Sequence, residues 1–295
     1  MAIESLEEAA RNHAEQGVEA ARRKYREAIH AIYAPDRRFR PTQIGSCFAL
    51  RISGGKYLIT AAHVVDQIKA GGGYVQGRNG LEPLLGDFWC SKKPDGSRND
   101  DKLDFAWKKL GRKDIEHLGW RCFVDEADIC ANKDTTCGRL YLLLGFPRSK
   151  NKKANPISRK IRPRMMAYYS TGKQFSDLFA ELGLTGDEHI AIDYAPRSKA
   201  GDGASINSIH PRGASGGPFL DLGRKGTLSD FARGEPYEGR LAGIFIERDD
   251  RHHALLAVKI DFLVAAIRAH APGKRKDYRR VRSQMRLKKR ALQAR

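Results

Sequence analysis

The sequence predicts a mostly β protein, built as barrels or a sandwich of short strands with a helix near each end. Three observations carry this. The apolar runs are short, and glycine and proline separate them. Regular strand–helix alternation is missing, which argues against a parallel α/β sheet. Helical periodicity is confined to the first 33 residues and to a stretch near residue 265.

In chain order, Ile3, Leu6, Ala10, Val18, Ala21, Tyr25, Ala28, Ile29 and Ile32 recur at three- and four-residue steps, so residues 1–33 read as a helix. Pro35 and Pro41 end the pattern. Such a helix either packs on the main body or docks a partner. Cys47–Ile52 then reads as a strand, Gly54-Gly55 as a turn and Tyr57–Thr60 as the returning strand. Further strands are expected at Gly73–Val75, Phe88–Cys90, Phe105–Lys108, Leu140–Leu144, Met165–Tyr169, Ile190–Tyr194, Phe219–Leu222, Leu241–Ile246 and Ala254–Val258. Asp261–Ala271 is a short amphipathic helix, stopped by Pro272-Gly273.

The 295 residues carry a net charge of +19, which favours an acidic partner: nucleic acid or an anionic surface. Lys274–Arg295 holds eleven lysines and arginines against one aspartate. It reads as a solvated or disordered arm, or as an anchor on an anionic partner. Its single aromatic, Tyr278, offers little for stacking on bases, which argues against sequence-specific readout. No apolar run approaches the roughly 18 residues of a membrane span, and the polar, acidic start is unlike a secretory signal. Five cysteines at irregular spacing (47, 90, 122, 130 and 137) read as reduced thiols of a cytoplasmic protein. Cys130, Cys137 and His117 have no C-x-x-C pair among them, so neither a metal site nor a cofactor is expected.

Three short segments carry chemistry. Gly213-Ala214-Ser215-Gly216-Gly217 fits G-x-S-x-G, the pattern of a strand-to-helix nucleophile elbow. The residues after Ser215 do not suit a helix: Gly216, Gly217 and Pro218 are poor helix formers, and Phe219–Leu222 suits a strand. Either this is a catalytic serine on a tight turn entering a strand, or it is a plain glycine turn. Leu58–Val65 is an apolar strand running into a small-residue corner with His63 at its end. An imidazole titrating near neutrality is the usual base for a serine hydroxyl; the alternative is a satisfied core histidine. In Leu103-Asp104-Phe105-Ala106-Trp107 one acid sits inside an apolar run, where an unpaired carboxylate is costly. Orienting an imidazole is one use for it, with Asp100 and Asp101 as rivals.

Taken in their chain order, GSCFAL…YLITAAHVV, LDFAW and RGASGGPF resemble the three catalytic motifs of trypsin-like (chymotrypsin-fold) serine peptidases. They look nearest to reduced, cytoplasmic bacterial members and to the high-temperature-requirement group, over about residues 42–270. The resemblance implies two six-stranded antiparallel barrels with the active site between them. The organisation would be a helical extension at 1–41, a first barrel with His63 and Asp104 at 42–125 and a linker at 126–137. A second barrel with Ser215 and a C-terminal helix would follow at 138–272, then a basic tail at 273–295. Ser215 would be the nucleophile, His63 the general base and acid, and Asp104 its orienter. The N–H groups of Gly213 and Ser215 would form the oxyanion hole, where a residue without Cβ suits the backbone angles required.

The departures bear on regulation and specificity. Ala214 stands where secreted members place the aspartate that pairs with a newly cleaved N-terminus, so that activation switch should be absent. Val64 replaces a common cysteine. Ile246-Glu247-Arg248 stands at the substrate-pairing strand, with Arg248 at the pocket mouth. Ile209, six residues before the serine, would be the pocket floor, which implies small or medium apolar residues on the acyl side of the cut. The expected function is a serine endopeptidase acting on protein substrates under the control of a partner. The alternative is a peptidase-fold module that binds nucleic acid or an acidic protein through its tail.

Overall fold

The computed structural model describes residues 6–78, 80–92, 97–131, 136–151, 163–199, 205–224 and 239–270. The basic tail read at Lys274–Arg295 lies outside them. The architecture is mostly β: two sheets, a helix before them and a helix after them, consistent with a chymotrypsin-like double barrel.

The first helix, α1 (Leu6–Tyr25), is shorter than the periodicity suggests. Residues Ile29–Pro35 form a strand, β1, paired antiparallel along its whole length with β2 (Pro41–Ile52). Five of the seven β1 residues are buried, so apolar residues fall on both faces of the strand and the spacing of Ala28, Ile29 and Ile32 mimics a helix. The same helix buries Ala14, Ala21 and Tyr25 against the body, and the Tyr25 hydroxyl donates to the Gly239 carbonyl at 2.7 Å. It lies against the second sheet while β1 is built into the first, so the N-terminal segment straps the two together.

β2 turns through Ser53-Gly54 into β3 (Gly55–Ala61), and β3 runs directly into α2 (Ala62–Gly71). β4 (Tyr74–Gly77), β5 (Gly80–Pro83), β6 (Trp89–Cys90), β7 (Phe105–Lys109), α3 (Arg112–Leu118) and β8 (Val124–Asp125) follow. The first sheet has eight strands rather than six, in the order β5-β4-β1-β2-β3-β7-β6, with β8 added to β2 in parallel. The extra members are β1, recruited from the segment read as helix, and the short β8.

The second sheet takes β9 (Arg139–Gly145), β10 (Met166–Thr171), β11 (His189–Asp193), β14 (Pro218–Arg224), β15 (Arg240–Asp249) and β16 (Ala254–Lys259). Its order is β10-β9-β14-β15-β16-β11. A bridge between Gly172 and Ile192 brings its two edges together. A short helix, α4 (Ser176–Leu182), and a small hairpin of β12 (Arg197–Lys199) and β13 (Ser205–Asn207) are inserted. The last helix, α5 (Ile260–Ala269), buries Phe262, Leu263 and Ile267. One apolar core runs continuously from Phe48 and Leu50 of the first sheet to Leu142, Leu144 and Ile244 of the second. No described helix is long and apolar enough to cross a membrane.

Candidate active site

A cleft of about 800 Å³ opens between the sheets, and His63, Asp104, Gly213, Ser215, His210 and Arg248 are among its lining residues. The histidine arrives on the first turn of α2. A helix start leaves backbone N–H groups without intrahelical partners, and Ala61 at the cap has no side chain to serve them. Asp104 serves them from across the sheet. Its carbonyl accepts the Ala62 N–H at 3.1 Å and its Oδ1 accepts the His63 N–H at 2.8 Å. Its other oxygen, Oδ2, meets His63 Nδ1 at 2.6 Å. One carboxylate therefore caps the helix and fixes the imidazole, which leaves Nε2 for the cleft.

Asp104 holds a left-handed backbone (φ 35°), uncommon for a residue with a side chain. The segment before it is pinned. Arg98 pairs with Asp66 at 2.8 Å and with Asp101 at 2.7 Å. The hydroxyl of Ser91 donates to Asp101 at 2.5 Å and accepts the Phe105 N–H at 3.0 Å. This separates the three acids that the sequence left as rivals: Asp101 is engaged by Arg98 and Ser91, and Asp104 alone meets the histidine.

Burial pushes the His63 imidazole down. The hydrogen bond and charge of Asp104, with smaller effects of Glu247 and Asp66, push it up and win, so it titrates above its ordinary 6.5. Glu247 presents surface to solvent, yet the cleft walls withdraw enough water to raise its carboxyl, and the charge of Asp104 adds to this.

Ser215 sits in a tight loop from the second sheet, gripped by the first. The Ser46 N–H donates to the Ser215 carbonyl at 2.8 Å, and Ser46 Oγ donates to the Gly213 carbonyl at 3.0 Å. Gln43 is 1% exposed, and its Nε2 donates to the carbonyls of Gly213 and Phe146, both at 2.6 Å. With the Gly213 carbonyl held back and its φ at 93°, its N–H meets no backbone acceptor among the described residues. The N–H of Ala214 is engaged by Pro211 at 2.7 Å, whereas those of Gly213 and Ser215 meet no acceptor among the described residues. Two unengaged donors thus flank the serine.

The structure brings His63, Asp104, Gly213 and Ser215 to one cleft. Ile246, Glu247 and Arg248 line it too, where the pairing of β15 with the Ser215 segment ends at Phe245. Ile209, read as the pocket floor, is partly buried against the core of the second sheet and is not among the residues lining the cleft. Its neighbour His210 lines the cleft. Cys130 and His117 have other companions: Cys130 donates to Asp221 at 3.4 Å and His117 meets Glu82 at 2.9 Å. Sequence reasoning missed Gln43, Ser46 and the Arg98–Asp101–Ser91 brace. They are polar residues with no motif of their own, and their buried placement is the only signal.

No family model matches the chain, and no curated protein matches it. Among solved structures, the chain is similar to a serine endoprotease from Yersinia pestis, at 15% identity and TM-score 0.49 over 87% of this chain and 68% of that one. It is similar to the HtrA-type protease AlgW with tripeptide (16%, TM-score 0.47, 87% of this chain and 64% of that one). It is also similar to the serine protease domain of the Sesbania mosaic virus polyprotein (13%, TM-score 0.44, 81% of this chain and 90% of that one). The chain spans about two thirds of the length of the first two. At these identities and TM-scores, the reading of the site rests on its own geometry.

Proposed function

We propose that the protein is a serine endopeptidase that cleaves protein substrates through an acyl-enzyme. The observation that carries this is the pairing of His63 with Asp104 in the same cleft as Ser215 and two unengaged N–H groups. In this reading Ser215 Oγ attacks the scissile carbonyl while His63 Nε2 takes its proton. Asp104 keeps the remaining proton on Nδ1 and stabilises the imidazolium. The carbonyl oxygen, now an oxyanion, is received by the N–H groups of Gly213 and Ser215. The imidazolium then protonates the leaving amine, and water attacks the ester with His63 again as base.

A fluorophosphonate probe tests this directly. The wild-type protein should gain one covalent adduct, mapped to Ser215 by peptide mass spectrometry, and Ser215→Ala should gain none. A wild-type protein left unlabelled, while a known serine peptidase is labelled in the same tube, would sink the catalytic reading and leave a binding module. The restraint such an enzyme needs would come from a partner drawn to its charge of +19.

The raised titration of His63 sets a pH dependence. Nε2 accepts a proton only while the ring is neutral, and neutrality is lost as pH falls through the raised value. The acid limb of kcat/KM should therefore lie above pH 6.5. Because the charge of Glu247 favours the imidazolium, Glu247→Gln should move that limb to lower pH. A limb that does not move in this variant would remove Glu247 from the electrostatics of the base.

A further inference from the structure

The segments on either side of the Ser215 loop carry basic groups, and their arrangement bears on substrate choice. Arg248 lies at the cleft end of β15, where its side chain is 18% exposed. Its guanidinium stacks over the Tyr194 ring, 4.5 Å from the centroid, and the Tyr194 hydroxyl donates to the Ile209 carbonyl at 3.3 Å. That stack fixes Arg248 to the segment carrying His210. Arg248 Nε is buried and has no hydrogen-bond partner among the described residues. An orphaned N–H on a cation is costly to bury. The guanidinium also makes a polar contact with the Tyr194 side chain and an ion pair from Nη2 to Asp250, whose side chain is 70% exposed on the turn after β15.

His210 presents a second donor. Its Nδ1 accepts the Arg212 N–H at 3.1 Å, so the neutral ring carries its proton on Nε2. Burial, and then the nearby charge of Arg248, favour that neutral form. Asp104 faces His63, Asp101 is held by Arg98, and Asp100 lines the cleft beside Asp101. Glu247, next to Arg248 in the chain, acts on His63. His210, Arg212 and Arg248 thus put three N–H-bearing side chains into the cleft lining.

Resting on the peptidase reading above, we propose that this part of the lining is a selectivity pocket for a carboxylate. The residue contributing the attacked carbonyl would be glutamate or aspartate, received by Arg248 and by the Nε2–H of His210. With the substrate carbonyl at the Gly213 and Ser215 N–H groups, that residue's side chain would lie against the segments of Arg248 and His210, which line the same cleft. Asp250 would occupy the guanidinium until substrate displaces it. This stands in place of the apolar preference drawn from Ile209, which packs against the core and is not among the cleft-lining residues.

The test uses matched peptides that differ only at this position: Glu, Asp, Gln, Ala, Leu and Arg. Wild-type protein should cleave the Glu or Asp peptide about 10- to 100-fold faster, by kcat/KM, than the Gln peptide, the range for a charged hydrogen bond. Arg248→Gln should abolish that ratio through a loss of kcat/KM on the Glu and Asp peptides, and an unchanged ratio would overturn the pocket. Asp250→Asn should lower KM for the Glu peptide. A parallel fluorophosphonate labelling separates the two levels. Labelled protein that prefers Leu, Ala or Arg overturns the carboxylate pocket and leaves the peptidase intact. Unlabelled protein that cleaves none of the peptides overturns both. A second measurement does not need turnover: Ser215→Ala should bind a product peptide ending in Glu at least tenfold more tightly than one ending in Gln, and equal affinities would overturn the pocket.

Discussion

Ser215→Ala or His63→Ala should each lower kcat on the order of 10⁶-fold, because nucleophile and base act as a unit and either loss removes the whole step. Asp104→Asn should cost about 10⁴-fold, for a different reason. An amide in place of the carboxylate holds the imidazole in the wrong tautomer, with Nε2 protonated and unable to accept. In this protein the same side chain also accepts the His63 backbone N–H at 2.8 Å, so the asparagine keeps its oxygen on that N–H and turns its NH₂ to Nδ1, which must then accept. The fold should survive, since the carbonyl of residue 104 still receives the Ala62 N–H and the Arg98–Asp101 brace is untouched. Steady-state turnover of a cleavable peptide, with circular dichroism as a check on folding, measures all three. Wild-type turnover by Ser215→Ala would dismiss the assignment.

Gly216→Ala should be the most damaging substitution for stability in the Ser215 loop. An added Cβ would stand 2.3 Å from the Ser46 carbonyl oxygen, 2.3 Å from Thr60 Oγ1 and 2.8 Å from the Ala61 nitrogen. Two of those atoms are backbone, so no rotamer change relieves the contact. The left-handed backbone at φ 86° adds strain of its own. Crowding and strain together should cost about 3 kcal/mol or more, and the rise should be visible as a lower urea midpoint. Gly54→Ala is the matched control: φ is 73° and nothing lies within 4 Å. It should lose only the conformational part, about 1–2 kcal/mol. Equal losses at the two positions would mean that the first sheet does not press on the loop.

The legible parts of this fold were those with local grammar. Tyr57–Thr60 is a short β-prone apolar run followed by the small residues Ala61 and Ala62, and the structure has a strand and a helix start there. The glycines at 213, 216 and 217 announced a tight turn, and the turn is present. β1 was not legible because a strand covered on both faces has no period of two, and its apolar residues also satisfy a helical spacing. Gln43 and Ser46 were not legible for another reason. They precede the strand read at Cys47–Ile52, and their partners in the Ser215 loop lie 167 to 170 residues away. The identity of the acid was open among three aspartates in sequence. Distances across the sheet separated them, since Arg98 and Ser91 hold Asp101.

The grip of Ser46 and Gln43 on the Ser215 loop has a consequence for the life of the chain. The carbonyls of Gly213 and Ser215 are held by residues of the first sheet, while the loop belongs to the second. A half-made protein emerging from a ribosome has the clamp but not the loop. A chain whose second sheet has folded alone has the loop but nothing to hold its carbonyls back. Competence to cut should therefore appear late, as one event with the docking of the two sheets, and vanish first when they part. The Ser46 amide reports on that event: in native-state hydrogen exchange it should open in step with loss of probe labelling, and an amide that exchanges well before labelling is lost would uncouple them.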